Sequence, residues 1–193
     1  PPTPRQQALL ELIERVPRER FVPLDRLNEA AGDRAVSLGP DTEAPAEVRA
    51  TVSAMHAYLR SFDLLEVEPG DAVLDLGGGS GYGAVLLAER VGAAGRVVSL
   101  ELDPALSRWA REELSALELS WAEARCADAL DPRSWPCDPR GLSKVTVGFA
   151  LEEVPASWDA FAEGTRVVAP LAAGEVQRLT LLERTAEGWE REA

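Results

Sequence analysis

Histidine, cysteine, basic charge and long apolar runs are all scarce in this chain, and each scarcity removes a class of function. One histidine and two cysteines among 193 residues leave no clustered ligand spacing, so a zinc-type centre is not expected. Cys126 and Cys137 are expected to stay reduced, because a single disulfide adds little to a chain long enough to build its own core. Twenty Lys and Arg stand against 33 Asp and Glu, a net charge of −13. Binding to a phosphate backbone rests largely on Lys and Arg neutralisation, so nucleic acid is a poor partner. There is no run of eighteen apolar residues, and the Pro-rich start at residues 1–5 lacks the basic-then-apolar order of a secretory signal. These features lead to the expectation of a cytoplasmic protein that neither crosses nor binds a membrane.

What is present is a globular composition, 46% apolar, over a length suited to one domain. The expected domain spans 1–193, with a cap or substrate region over 1–65 and a cofactor-binding core over 66–193. No internal repeat or low-complexity tract interrupts it. Ala8, Leu9, Leu12, Ile13 and Val16 mark one helix face, ended by Pro17. Residues 18–45 read as loops with a short helix. Val48, Val52, Met55, Leu59 and Phe62 recur at helical steps and predict a helix over 46–65.

Strands and helices then alternate. The pattern predicts strands at 72–76, 97–100, 122–126, 145–149 and 165–169, with helices over 84–91 and 104–117 and a short one at 158–161. Asp103 and Pro104 suit the cap and first position of the 104–117 helix. The segment from Val176 and the closing residues form an antiparallel pair around Glu187-Gly188. This alternation predicts an α/β fold, an open and mainly parallel Rossmann-like sheet flanked by helices with an antiparallel C-terminal pair.

Between the first two core strands lies Gly77-Gly78-Gly79-Ser80-Gly81. Glycines at a sharp strand-to-helix turn let backbone approach a ligand closely. Their spacing is neither that of the dinucleotide fingerprint, which needs glycines at the first, third and sixth places, nor of a P-loop, since no Gly-Lys-Ser/Thr follows. Glu101 ends the next strand, where its carboxylate can accept both hydroxyls of a ribose, and Asp128 follows the third strand at a similar level, within reach of an adenine amino group. A Gly loop and two acids at consecutive strand ends suit a nucleoside without phosphates.

Several separated segments resemble the protein-L-isoaspartate O-methyltransferase family. Val16-Pro17-Arg18-Glu19-Arg20-Phe21-Val22-Pro23 looks like its N-terminal signature. Asp33 to Gly39 is similar to its Asp-x-x-Leu-Pro-Ile-Gly segment, with Ser37 where proline is usual, and Thr51-Val52-Ser53-Ala54 resembles its Thr-Ile-Ser motif. Arg96 to Glu101, Glu153-Val154-Pro155 and Gly164 to Pro170 follow the family's order, while Met55-His56-Ala57-Tyr58 resembles animal members after a two-residue shift. An extra stretch between Gly39 and Thr51 and the absence of the usual Phe-Val-Pro-Leu ending depart from the pattern on the substrate side.

The resemblance implies S-adenosyl-L-methionine as cofactor. It implies cofactor contacts from Thr51, Val52, Asp75, Gly77, Gly78, Gly79, Ser80, Gly81, Glu101, Leu102, Asp128, Ala129 and Gln177, with Ser53 as the active-site hydroxyl. The implied reaction is methyl transfer to the side-chain carboxylate of isoaspartate in a peptide or protein. Two alternatives accompany it: a relative that methylates an ordinary aspartate of a ribosomally made peptide on the way to an aspartimide, and a cofactor-binding module without turnover. A mid-helix serine bonded within its own helix is the bland reading of Ser53. His56 and Trp109, Trp121, Trp135, Trp158 and Trp189 read as packing or surface residues.

Overall fold

A computed structural model describes residues 2–39, 50–174 and 176–191. Its centre is a seven-stranded sheet of β3 (Ala72–Leu76), β4 (Arg96–Glu101), β5 (Ala122–Cys126), β6 (Lys144–Val147), β7 (Arg166–Ala173), β8 (Val176–Thr185) and β9 (Gly188–Arg191). The order is β5-β4-β3-β6-β7-β8-β9. β3 to β7 run parallel, and β8 and β9 complete the sheet as an antiparallel meander. The chain builds outward from β3 through β4 to β5, then returns to place β6 on the other side of β3. Open α/β sheets bind ligands outside the carboxyl ends of the strands at such a reversal.

Among the described residues, four α-helices cover one face: α1 (Pro4–Arg15), α2 (Met55–Leu64), α3 (Tyr82–Val91) and α4 (Pro104–Ala116). Strand period decides which side chains they meet. Val73 and Val97 join the core beneath the helices, whereas Leu74, Leu76, Val98 and Leu100 face the opposite core, with buried Trp135, Trp158 and Phe161. Rings of Trp135, Trp158 and Trp189 each pack within about 6 Å of Phe161, centroid to centroid. That second face is covered by short 3-10 turns instead of α-helices among the described residues. Asp103 caps α4 through Oδ1, which accepts from the Ala105 and Leu106 N–H groups, as the Asp-Pro start predicts. None of the described helices is long and apolar enough to cross a membrane.

The expected helix over 46–65 is corrected: α2 begins only at Met55, and residues 40–49, with most of the extra stretch, lie outside the described residues. Thr51–Val52 forms a short strand, β2, antiparallel to β1 (Val36–Ser37), with Val36 opposite Val52. Val52 is therefore buried by strand pairing, which coincides with a helical spacing by chance of position. Ser53 sits in the turn ahead of α2, so the mid-helix reading of its hydroxyl does not apply.

The N-terminal segments are tied to the core at several points. Arg18–Phe21 and Leu24–Glu29 are 3-10 turns in the stretch expected to hold loops and a short helix. Ser80 Oγ donates to Phe21 O at 2.7 Å, Trp109 Nε1 donates to Arg20 O, and Arg20 pairs with Glu113. Leu9, Leu12, Phe21 and Phe62 share one apolar cluster with Val73, Tyr82 and Val85.

Candidate functional site

The sheet carries one polar row on its helix-covered face. Register aligns Ser99, Asp75 and Thr146 on adjacent strands β4, β3 and β6, all buried in otherwise apolar sequences. Ser99 Oγ donates to Asp75 Oδ2 at 2.8 Å. Burial pushes the Asp75 carboxyl up to about 6, against the opposing hydrogen bond from Ser99, and the nearby Glu101 charge adds to the rise. A buried carboxylate without a cation beside it is costly, so this row has a use beyond packing.

Asp75 lines a small chamber of about 80 Å³ with Ser53, Tyr58, Ser61, Tyr82 and Thr146. The Tyr82 hydroxyl is buried without a hydrogen-bond partner among the described residues. A larger cleft of about 560 Å³ opens beside the chamber, lined by Thr51, Gly77, Gly79, Glu101, Leu102, Asp128, Ala129, Phe149 and Gln177 among others. Thr51, Gly77 and Gly148 line both spaces, so the chamber and the cleft meet at those three residues.

The glycines of the loop divide their tasks. Gly77 (φ +78°) and Gly79 (φ +56°) adopt backbone conformations that L side chains rarely adopt and present bare main chain to the cleft. Gly78 turns inward, where a Cβ would collide with the Ser99 hydroxyl. Gly81 packs against α4, with any Cβ 2.8 Å from Ala110. Glu101 holds the loop open: its Oε2 accepts from Gly79 N–H and its Oε1 from Asp103 N–H, both at 2.9 Å. Each oxygen keeps a lone pair for a ligand hydroxyl. Asp128 Oδ1 accepts from Leu130 N–H, fixing the far wall, and Leu102 and Leu130 are exposed apolar side chains on that rim.

The residues expected from the sequence therefore fall into two sets. Gly77, Gly79, Glu101, Leu102, Asp128, Ala129, Gln177 and Thr51 converge on the cleft; Asp75, Val52, Gly78, Ser80 and Ser53 line the chamber, with Thr51 and Gly77. Gly81 lines neither, and the Ser80 hydroxyl is already bonded to Phe21 O. Sequence reasoning missed Tyr58, Ser99, Thr146 and Phe149. A signal existed for two of them, since Ser99 and Thr146 interrupt apolar strands at the level of Asp75. His56 is exposed, with Nδ1 at 3.1 Å from both oxygens of Asp33, whose Oδ1 also accepts the His56 N–H and caps α2. These bonds hold the Asp33 carboxyl below the usual range.

The strand order, the Gly loop at the reversal and the acids at consecutive strand ends define the Rossmann-like fold of the class I S-adenosylmethionine-dependent methyltransferases. A solved protein-L-isoaspartate O-methyltransferase shares this fold at a TM-score of 0.74 and 24% identity, over 99% of this chain and 60% of that one. A putative enzyme of the same name from Plasmodium falciparum, in complex with S-adenosyl-L-homocysteine, gives 0.74 at 18% identity, over 98% and 87%. The sequence model of the protein-L-isoaspartate(D-aspartate) O-methyltransferase family matches residues 3–192. The protein-L-isoaspartate O-methyltransferase of Aeropyrum pernix is 34% identical over 188 residues, covering 95% of this chain and 67% of that protein. The chain belongs to the protein-L-isoaspartate(D-aspartate) O-methyltransferase family.

Proposed function

We propose that this chain transfers a methyl group from S-adenosyl-L-methionine to the side-chain carboxylate of isoaspartyl residues in peptides or proteins. The observation that carries the assignment of the reacting side is Ser53: it lines the chamber, two residues from the point where chamber and cleft meet, with its hydroxyl beside that of Tyr58.

The residues suit the cofactor on their own chemistry. Glu101 offers carboxylate lone pairs to ribose hydroxyls, Asp128 and Ala129 form the adenine side with Leu102, and Gln177 closes the rim from β8. Gly77 and Gly79 line the cleft with main chain, and a Cβ at Gly77 would collide with the Phe149 ring at 2.6 Å. Asp75 lies in the chamber, where its buried carboxyl fits a cationic group such as the ammonium of the cofactor's amino-acid end. When bound, S-adenosyl-L-methionine supplies an electrophilic methyl group on a sulfonium.

The chain's own contribution is positioning. A substrate carboxylate is ionised at neutral pH and already nucleophilic, so no general base is required. Ser53 holds that carboxylate by donating its hydroxyl proton in a hydrogen bond, beside the chamber walls of Tyr58, Tyr82 and Thr146. The resulting ester then closes to a succinimide as the following backbone nitrogen attacks the ester carbonyl, the methoxy group leaving with the N–H proton as methanol. We take residues 1–193 as one domain, since cap and core side chains share a cluster. Both cysteines are free, Cys126 exposed and Cys137 half-buried, in keeping with a cytoplasmic setting. The charge of −13 disfavours a nucleic-acid substrate.

The test is transfer of labelled methyl to matched peptides carrying isoaspartate or aspartate, with Ser53→Ala as control. Base-labile label on the isoaspartyl peptide alone, reduced about tenfold or more in Ser53→Ala by loss of one hydrogen bond to a charged group, is the expected result. Label on the aspartyl peptide would replace the repair reading with peptide modification, and cofactor binding without label on either would point to a module without this activity.

A further inference from the structure

Arg18 is 3% exposed in the first 3-10 turn, and it forms no ion pair among the described residues. Its partners are carbonyls. Nη1 donates to Ala30 O at 3.1 Å and Gly32 O at 2.9 Å; Nη2 donates to Arg34 O at 2.7 Å, Val52 O at 3.1 Å and Ser53 O at 2.8 Å. One planar group thus gathers the loop at 30–34 and the end of β2 at 52–53. Such a fork is a property of guanidinium, whose donors are fixed in one plane; an ammonium offers three donors from a single point.

On the other side of Ser53, its N–H donates to Tyr58 Oη at 3.3 Å. Both backbone polar groups of Ser53 are therefore held by side chains from different elements, Arg18 on the carbonyl and Tyr58 on the amide. The Ser53 hydroxyl also lies within hydrogen-bond reach of the Tyr58 hydroxyl, so its position is set from the same side. The Arg18 charge behind this peptide is solvated by those five carbonyl oxygens, with no ion pair to a carboxylate among the described residues.

We propose that Arg18 is a positioning residue of the methyl-transfer step: it locks the Ser53 peptide and so fixes where the Ser53 hydroxyl meets the substrate carboxylate. The inference rests on the proposed function for the identity of that carboxylate. The lock itself does not, since it consists of bonds present without any ligand.

The experiment compares wild type with Arg18→Lys and Arg18→Ala in three measurements: hydrogen exchange of the segment containing Ser53, affinity for S-adenosyl-L-homocysteine, and kcat and KM for an isoaspartyl peptide. In Arg18→Lys the Ser53 segment is expected to exchange faster while S-adenosyl-L-homocysteine affinity stays at the wild-type value, because the cleft residues are untouched. The kcat is expected to fall on the order of a hundredfold, the loss that misplacement by about 1 Å produces. Millimolar guanidinium is expected to restore part of the kcat of Arg18→Ala and none is gained by wild type. Wild-type exchange at Ser53 in a folded Arg18→Lys protein overturns the lock whatever the substrate is, and a parallel loss of kcat and S-adenosyl-L-homocysteine affinity overturns the positioning role in favour of general structural support. Should both Arg18 variants fail to fold, Tyr58→Phe removes the opposite half of the lock, and unchanged kcat and exchange there overturn it equally. If wild type methylates no isoaspartyl peptide, the proposed function fails, while the exchange measurement still decides the lock.

Discussion

Replacing Asp75 with Asn separates the stability of this protein from its function. The side chain is nearly isosteric, and its carbonyl oxygen can keep the hydrogen bond donated by Ser99 Oγ. What disappears is the charge. In the folded protein the Asp75 carboxyl is pushed from 3.8 up to about 6 by burial. A carboxyl raised on folding binds its proton more tightly in the folded state, so its contribution to stability is fully present below pH 3.8 and is lost as pH rises through about 6. At about 1.4 kcal/mol per tenfold in proton affinity, the span from 3.8 to about 6 corresponds to about 3 kcal/mol of destabilisation at neutral pH. Asn does not titrate, so the stability of Asp75→Asn relative to wild type should climb by about 2–3 kcal/mol between pH 4 and pH 7 and then level off. The assay is urea denaturation of both proteins across that range, read as the difference between them so that all other carboxylates cancel. Affinity for S-adenosyl-L-homocysteine should move the opposite way, falling about tenfold or more in the variant at pH 7.5, since a charge-assisted contact is removed. A flat difference across pH, or a variant less stable than wild type at pH 7.5, would refute the idea that this carboxylate is held ready for a cation.

Glu101→Gln should weaken S-adenosyl-L-homocysteine binding about tenfold or more, because an amide can accept from only one of the Gly79 and Asp103 N–H groups and turns a donor toward the other; calorimetric titration reads the loss. Gly81→Ala should destabilise by about 2–5 kcal/mol in urea, combining a left-handed backbone at φ +97° with a Cβ 2.8 Å from Ala110. Ser80→Ala should cost about 1–3 kcal/mol by orphaning the Phe21 carbonyl, yet leave S-adenosyl-L-homocysteine affinity within about twofold, and a larger loss of affinity than of stability would return the Ser80 hydroxyl to the cofactor.

The core was largely legible in the sequence because its signals are local. An apolar strand running into Gly77 to Gly81, a Pro104 start capped by Asp103, and a turn at Glu187-Gly188 each state their structure within a few residues. The substrate side was not legible for the converse reason. Val52 fits a helical stripe with Met55 and Phe62, and only its pairing with Val36 shows that it belongs to a strand. Arg18 stands in a recognisable signature, but its acceptors lie 12 to 35 residues away, beyond any local pattern. Glycine was over-read in the other direction. A single ligand-facing explanation covered the loop, whereas Gly78 and Gly81 are small because Ser99 and Ala110 occupy the space.

The two halves of the site share one scaffold. Arg18 and Phe21 lie on the same short turn; Arg18 holds Ser53, and the Phe21 carbonyl is held by Ser80 of the Gly loop. The Phe21 ring packs on Tyr82, the first residue of α3, with centroids 5.2 Å apart, and Tyr82 in turn meets the Tyr58 ring edge-on at 5.3 Å. Tyr58 closes the circuit by accepting the Ser53 amide. The loop that would receive the cofactor and the peptide that would receive the substrate are thereby fixed to each other through one hydrogen-bonded turn and three rings packed tilted and edge-on. Methyl transfer needs no proton removed and no metal polarisation, only two reactants held in line, and a site built this way spends its sequence on distance and orientation.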